Sequence, residues 1–176
     1  MFRLDTPRLY IRPWTAGDRG DLARIMCDPE VMHYLHAGQP YSEEEMDEFL
    51  SRQARQLAEH GLCMGALIEK EGERVAGIAG TQPLGTTGDL EIGWILAREA
   101  WGKGYATEAG DAAMRHVLET LSRPRVVAII DPANVPSKRV AARLGMQYEA
   151  RYDGVALGHR KPEIVVDLFF RNGEAR

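Results

Sequence analysis

At 176 residues the chain is the size of one ordinary domain, long enough to bury a full core without disulfide staples. With 44% hydrophobic and 27% charged residues it has the composition of a soluble globular protein, and a net charge of -4 argues against a nucleic-acid-binding surface as its main role. The two cysteines, Cys27 and Cys63, sit in no metal-binding or C-x-x-C spacing, no apolar run reaches membrane-spanning length, and the start MFRLDTPRLY has charges where a signal peptide needs an apolar core, so the expectation is a cytoplasmic protein with no membrane partner.

The absence of repeats, low-complexity runs and linkers predicts a single domain over residues 1–176. RLYIRPW reads as a first strand stopped near Pro13. AGDRGDLARIMCD reads as a short helix with Asp18 at its N-cap, and DPEVMHYL as another, capped by Asp28 with Pro29 at the first helical position. YSEEEMDEFLSRQARQLAEHG is a longer helix: Ser42 and Glu45 have capping-box spacing, acidic residues fill the first turn, and Gly61 ends it.

After Gly61 the period changes. LCMGALIEK, ERVAGIAGTQ and GDLEIGWILA predict three strands in an antiparallel meander, with turns around Gly72 and at Gly85 to Gly88. A helix follows from about Gly104 to Leu121, with Tyr105, Ala109, Ala112, His116 and Val117 on its buried stripe. RVVAIID is a buried strand, PSKRVAARLG a short helix ended by Gly145, and EIVVDLFFR a last strand. This order predicts an α+β fold, a mixed and mostly antiparallel sheet flanked by helices.

The stretch WGKGYAT joins the last meander strand to the next helix. Glycines just before a helix let an anion approach the unpaired amides and the positive end of the macrodipole. Gly102, Gly104 and the small Ala106 therefore form a candidate phosphate cradle, with Lys103 and Thr107 as further donors. The alternative is a loop whose glycines serve turn geometry alone. No Walker A pattern is present. A dinucleotide fingerprint is only partly matched, with Thr107 at its sixth position and Asp131 as the ribose-binding acid, which keeps an NAD(P)-dependent oxidoreductase as a second reading.

The same stretch resembles motif A of the GNAT superfamily of N-acetyltransferases, R/Q-x-x-G-x-G/A, with Trp101 in place of the usual Arg or Gln. The aromatic residue followed by GYATEA, the opening LDTPRLYIRPWTAGD, DPEVMHYL, and DPANVPSKRVAARLGMQYEA as motif B are similar to the Rim-type branch, whose members acetylate ribosomal-protein N-termini. The resemblance covers roughly residues 4–150. The tail ALGHRKPEIVVDLFF departs from that branch by lacking the acidic residue that its members place between motif B and the last strand.

The resemblance implies acetyl-CoA as co-substrate, a primary amine as acceptor (a protein N-terminus or a small molecule), no metal, and a homodimer. It places the pyrophosphate on the amides from Gly102 to Thr107, Tyr105 included. Pantetheine is expected along Trp94, Ile95 and Leu96, where in this superfamily the strand splays from its neighbour, often at a bulge, with the amide of Ile95 or Leu96 polarising the thioester. Ala141 stands where the superfamily's usual Tyr acid falls. Asn134 and Ser137 match the Rim-type N-x-x-S, so Asn134 is expected to hold the pantetheine arm and Ser137 to protonate or hydrogen-bond the sulfur; ordinary helix capping is the alternative. The missing Tyr also leaves open a non-catalytic CoA-binding module. Glu91, on the same strand face as Gly93 and Ile95, is the candidate base acting through water. His33, Tyr34, His36, Trp14, His159 and Arg160 are candidates for the acceptor side.

Overall fold

The computed structural model describes residues 2–173. Eight strands form one sheet: β1 (Leu4–Asp5), β2 (Leu9–Arg12), β3 (Met64–Glu69), β4 (Arg74–Pro83), β5 (Leu90–Leu96), β6 (Arg125–Ile130), β7 (Gln147–Asp153) and β8 (Val165–Asn172). Their spatial order is β1-β2-β3-β4-β5-β6-β8-β7. Every neighbouring pair is antiparallel except β5 and β6. The α+β fold predicted from the sequence is the one observed.

Strand alternation splits the sheet into two faces. Tyr10, Ala66, Ile68 and Ile78 meet Leu22, Met32 and Phe49 from α1 (Arg19–Met26), α2 (Pro29–Met32) and α3 (Glu43–His60). The intervening residues Leu9, Ile11, Leu67 and Ala79 point the other way, onto Tyr105 and Ala109 of α4 (Tyr105–Arg115). On that same face Val126, Ala128 and Ile130 of β6 pack under α5 (Val135–Arg143) through Val140 and Ala141. Val127 and Leu168 face the α1–α3 side and are covered there by Leu157, from the loop joining β7 to β8.

The helix ends follow their sequence signals. Asp28 accepts the Glu30 N–H at the start of α2; Ser42 and Glu45 form the reciprocal capping box of α3, and Gly61 closes it at φ +70°. Asp18 differs from expectation. Its carboxylate turns back to accept from the Thr15 N–H (2.7 Å) and from Arg12 (2.6 and 2.8 Å) instead of capping α1, because a guanidinium fork outcompetes a local amide. The helix after the glycine loop ends as α at Arg115 and continues as one π turn, His116–Thr120.

Two strands were not expected. β1 has two residues. β7 is the sheet edge, with Gln147, Tyr148 and Glu149 all exposed, so it carries no apolar run to mark it as a strand.

Candidate active site

The site begins with a failure of strand pairing. β4 and β5 stay in register from Pro83↔Leu90 to Gly77↔Leu96, whereas β5 and β6 pair only at Glu91↔Val127. Beyond that pair the two strands diverge, and a cavity of about 1400 Å³ opens through the sheet, passing Trp94 and Leu96 on one side and Ala128 and Ile130 on the other. The expected splay is present. No bulge accompanies it, since the β4–β5 register runs without a shift.

Ladder alternation decides which backbone groups face this gap. Ala97 N–H donates to Ala76 C=O at 2.9 Å, and stepping back two residues puts Ile95 on the hydrogen-bonded pair with Ile78. The Ile95 amide is therefore spent within the sheet. Trp94 and Leu96 turn their main-chain groups towards the gap, so of the two candidate amides only that of Leu96 is available. The Leu96 carbonyl accepts the Trp101 indole N–H at 3.0 Å.

At the cavity's α4 end, Gly102 and Gly104 adopt φ of +75° and +79°, a region side chains disfavour. A Cβ at Gly102 would meet no atom within 4 Å, so conformation and the need for open approach, not crowding, account for glycine there. α4 starts at Tyr105 without a side-chain cap, which leaves the amides of Tyr105, Ala106 and Thr107 without intrahelical acceptors. The loop is braced from behind. Glu108 accepts from Thr6 Oγ1 (2.6 Å), the Arg8 N–H (2.9 Å) and Arg8 Nε (2.7 Å), and Arg8 also donates to the Lys103 carbonyl (2.9 Å).

Of the two predicted side-chain donors, Thr107 lines the cavity and Lys103 points elsewhere. Lys103 does not line the cavity: its ammonium leans to Glu69, 3.5 Å away. The Tyr105 hydroxyl is buried and donates to the same Glu69, so Tyr105 has only its main chain to offer. Glu69 gathers these groups because it is a buried carboxylate that needs partners.

Glu91 is 9% exposed and lines the cavity beside the last β5–β6 pair. Burial raises its pKa to about 7, opposed by a hydrogen bond from Gln82 Nε2 (3.2 Å) and by the charge of Arg160. Asn134 and Ser137 line the β6–α5 side of the same cavity. The capping reading holds for the backbone, since Asn134 Oδ1 accepts the Ser137 N–H at 3.1 Å; the Ser137 hydroxyl makes no hydrogen bond among the described residues.

His33 and Tyr34 also line the cavity and stack edge-to-face at 4.5 Å. His36, His159 and Arg160 line it too. Trp14 does not: its indole N–H donates to the Met64 carbonyl (2.9 Å) and its ring packs edge-on against Phe49, so it is a core residue. Arg52, Lys161, Gln82, Arg139 and Arg143 line the cavity without having been singled out from the sequence. For Arg52 a signal existed: it lies three residues after Phe49 and six after Met46, at the margin of the buried stripe of α3.

Residues 8–147 match the acetyltransferase (GNAT) domain family. The chain belongs to this family of acetyltransferases. An uncharacterized N-acetyltransferase, p20, from Bacillus licheniformis is 30% identical over 151 residues, spanning 85% of this chain and 84% of that protein. An acetyltransferase from Agrobacterium tumefaciens superposes with a TM-score of 0.81 at 25% identity, covering 98% of this chain and 95% of the other. The RimL ribosomal L7/L12 alpha-N-protein acetyltransferase in complex with coenzyme A has a TM-score of 0.80 at 17% identity, covering 99% and 100%.

The protein is thus an N-acetyltransferase that takes its acetyl group from acetyl-CoA. The gap between β5 and β6 and the uncapped, glycine-led start of α4 suit an extended thioester arm and its pyrophosphate. The oxidoreductase alternative fails on topology. The sheet has a single parallel contact, and Asp131 is occupied in its own turn, accepting the Ala133 N–H at 2.7 Å.

Proposed function

We propose that this acetyltransferase acetylates a primary α-amine by direct attack on the bound thioester, and that the residues around the β5–β6 gap divide the work. The pairing of the two strands at Glu91↔Val127 alone carries this reading, because it leaves main-chain edges free in the middle of the sheet. Acetyl-CoA supplies the activated acetyl group. The amides of Gly102 and Gly104 to Thr107 take the pyrophosphate, with Arg139 and Arg143 on α5 adding charge from the side. Trp94 and Leu96 offer N–H and C=O groups to the pantetheine arm, and the Leu96 N–H is aligned to polarise the thioester carbonyl.

Glu91 accepts the amine proton through water. A carboxylate with pKa about 7 suits this task at neutral pH, since an α-amine of pKa ~8 needs far less help than a lysine at ~10.4. Ser137 donates to the leaving sulfur, and His33 and Tyr34 bound the acceptor's entry. The Rim-type resemblance is supported by the fold shared with RimL and with the ribosomal-protein-S5-alanine acetyltransferase of Vibrio fischeri.

Isothermal calorimetry with acetyl-CoA tests the cradle. Micromolar binding is expected for the wild type and none for Gly104→Trp, which combines a disfavoured φ with bulk at the mouth of the loop. Unchanged binding in the variant would place the pyrophosphate elsewhere.

A further inference from the structure

Glu91, Gly93 and Ile95 face the α1–α3 side of the sheet, opposite α4 and α5. The acceptor must approach Glu91 from this side, and the wall it meets is cationic. Arg52 comes from α3; Arg160 and Lys161 come from the loop at 154–164. Carboxylates lie nearby without closing on the loop cations: Glu45 and Glu163 act on Lys161 through charge, and Arg160 acts on Glu91. Among the described residues Arg52 pairs with one carboxylate, Glu48 at 3.9 Å, which is itself 70% exposed. Among the described residues neither Arg160 nor Lys161 forms an ion pair. Lys161 Nζ instead lies 3.1 Å from His36 Nδ1 and over the Tyr41 ring at 5.8 Å.

Arg52 makes the case sharper. Its side chain is only 16% exposed, and its Nε is buried with no hydrogen-bond partner. A comparably covered guanidinium elsewhere is treated differently: Arg12, 28% exposed, forks onto Asp18 at 2.6 and 2.8 Å. Leaving a buried cationic donor unpaired is costly unless a ligand completes it. Burial and the charge of Arg160 both push the Arg52 pKa down.

The wall is also held in place. The Thr86 N–H donates to the Leu157 carbonyl (3.2 Å), the His159 N–H to the Gly154 carbonyl (2.8 Å), and a Cβ at Gly158 would collide with Thr86. Loop 154–164 is thereby docked on the β4–β5 turn, with Arg160 and Lys161 lining the cavity. The nucleotide's phosphates do not account for these cations, since the candidate cradle and Arg139 and Arg143 belong to elements on the opposite face of the sheet.

We propose that the acceptor is a small zwitterionic amine of the α-amino-acid type, whose carboxylate is held by Arg52, Arg160 and Lys161 while its amine faces Glu91. This rests on the reading of Glu91 as the group that receives the amine proton. A peptide N-terminus has its first carboxyl tied up as an amide, and polyamines are repelled by the wall. Arg52 is suited to a two-pronged grip on a carboxylate, and the loop cations add charge at the rim.

The test measures CoA release with saturating acetyl-CoA and the α-amino acids, each paired with its own carboxamide, together with spermidine. At least one amino acid is expected to exceed its amide in kcat/KM by about 10-fold or more. Arg52→Gln and, separately, Arg160→Gln on the exposed loop should shrink that ratio mainly by raising KM for the acid, with Arg52→Lys retaining part of it. Amides or spermidine accepted as well as the acids overturns the proposal, as does a preference that survives both Gln substitutions, or no amino acid accepted at all. The role of Glu91 is judged apart: if Glu91→Gln leaves the pH profile unchanged while the carboxylate preference persists, only the base assignment falls.

Discussion

Burial of Glu91 raises its pKa from 4.5 to about 7, and this has two consequences of opposite kind. For activity, the group must be ionised to take a proton, so wild-type kcat/KM should fall as pH drops below about 7. Glu91→Gln should cost about 10- to 100-fold at pH 7, with the deficit narrowing towards pH ~9, where the acceptor amine deprotonates unaided. A rate loss independent of pH would refute the base role. For stability, the folded state holds this proton more tightly than the unfolded chain. Stability is therefore lost as pH rises from about 4.5 through about 7, the reverse of a salt-bridged carboxylate. Without acetyl-CoA, Glu91→Gln should be more stable than wild type at pH 8 by an amount on the order of 3 kcal/mol, and the gap should close by pH ~4. Denaturant melts at the two pH values measure it.

At the scale of elements, Asp167 is the joint of the second half of the sheet. It is 3% exposed on β8, yet accepts from Lys138 of α5 (2.6 Å) and Arg151 of β7 (2.8 Å). The bond from Arg151, helped by Lys138, holds its pKa below the usual carboxylate range against the opposing effect of burial. Asp167→Asn should cost about 1.5–3 kcal/mol at pH 7. Because the pKa is lowered, the ionic part of this contribution is present above about pH 4 and disappears as pH falls through the folded value. The deficit read from urea midpoints should be largest at pH 7 and shrink as the pH is lowered below 4. Lys138 adjoins Ser137, so the same substitution should loosen the start of α5 and weaken acetyl-CoA binding.

For the whole molecule, the open sheet is the decisive feature. Six strand pairs close their ladders over most of their length, and β5–β6 does not. A ligand that fills the gap bridges the two halves and binds only the folded chain. At 100 times its Kd, acetyl-CoA should add about 2.7 kcal/mol. For a chain of this length that is a rise in Tm of roughly 5–10 °C. Thermal melts should show it for wild type, not for Gly104→Trp, and not with NAD(P) in place of acetyl-CoA.

Local chemistry made much of this legible in the sequence. The capping residues Asp28, Ser42 and Gly61, the meander turns and the glycines before α4 act over a few residues, and each was found where expected. Glu91 was placed on one face with Gly93 and Ile95 by strand period alone. What depends on distant partners was not legible. Trp14 and Lys103 look like site residues in the sequence but are drawn away by the Met64 carbonyl and by Glu69. The choice between the Ile95 and Leu96 amides follows from pairing with Ile78, which no local pattern encodes. β7 has no apolar signature because it is an edge. The meeting of Arg52 with Arg160 and Lys161, more than a hundred positions later in the chain, arises only when α3 and loop 154–164 close on the same face of the sheet. Periodicity and caps are properties of a segment; a cavity wall is a property of the packing that brings segments together.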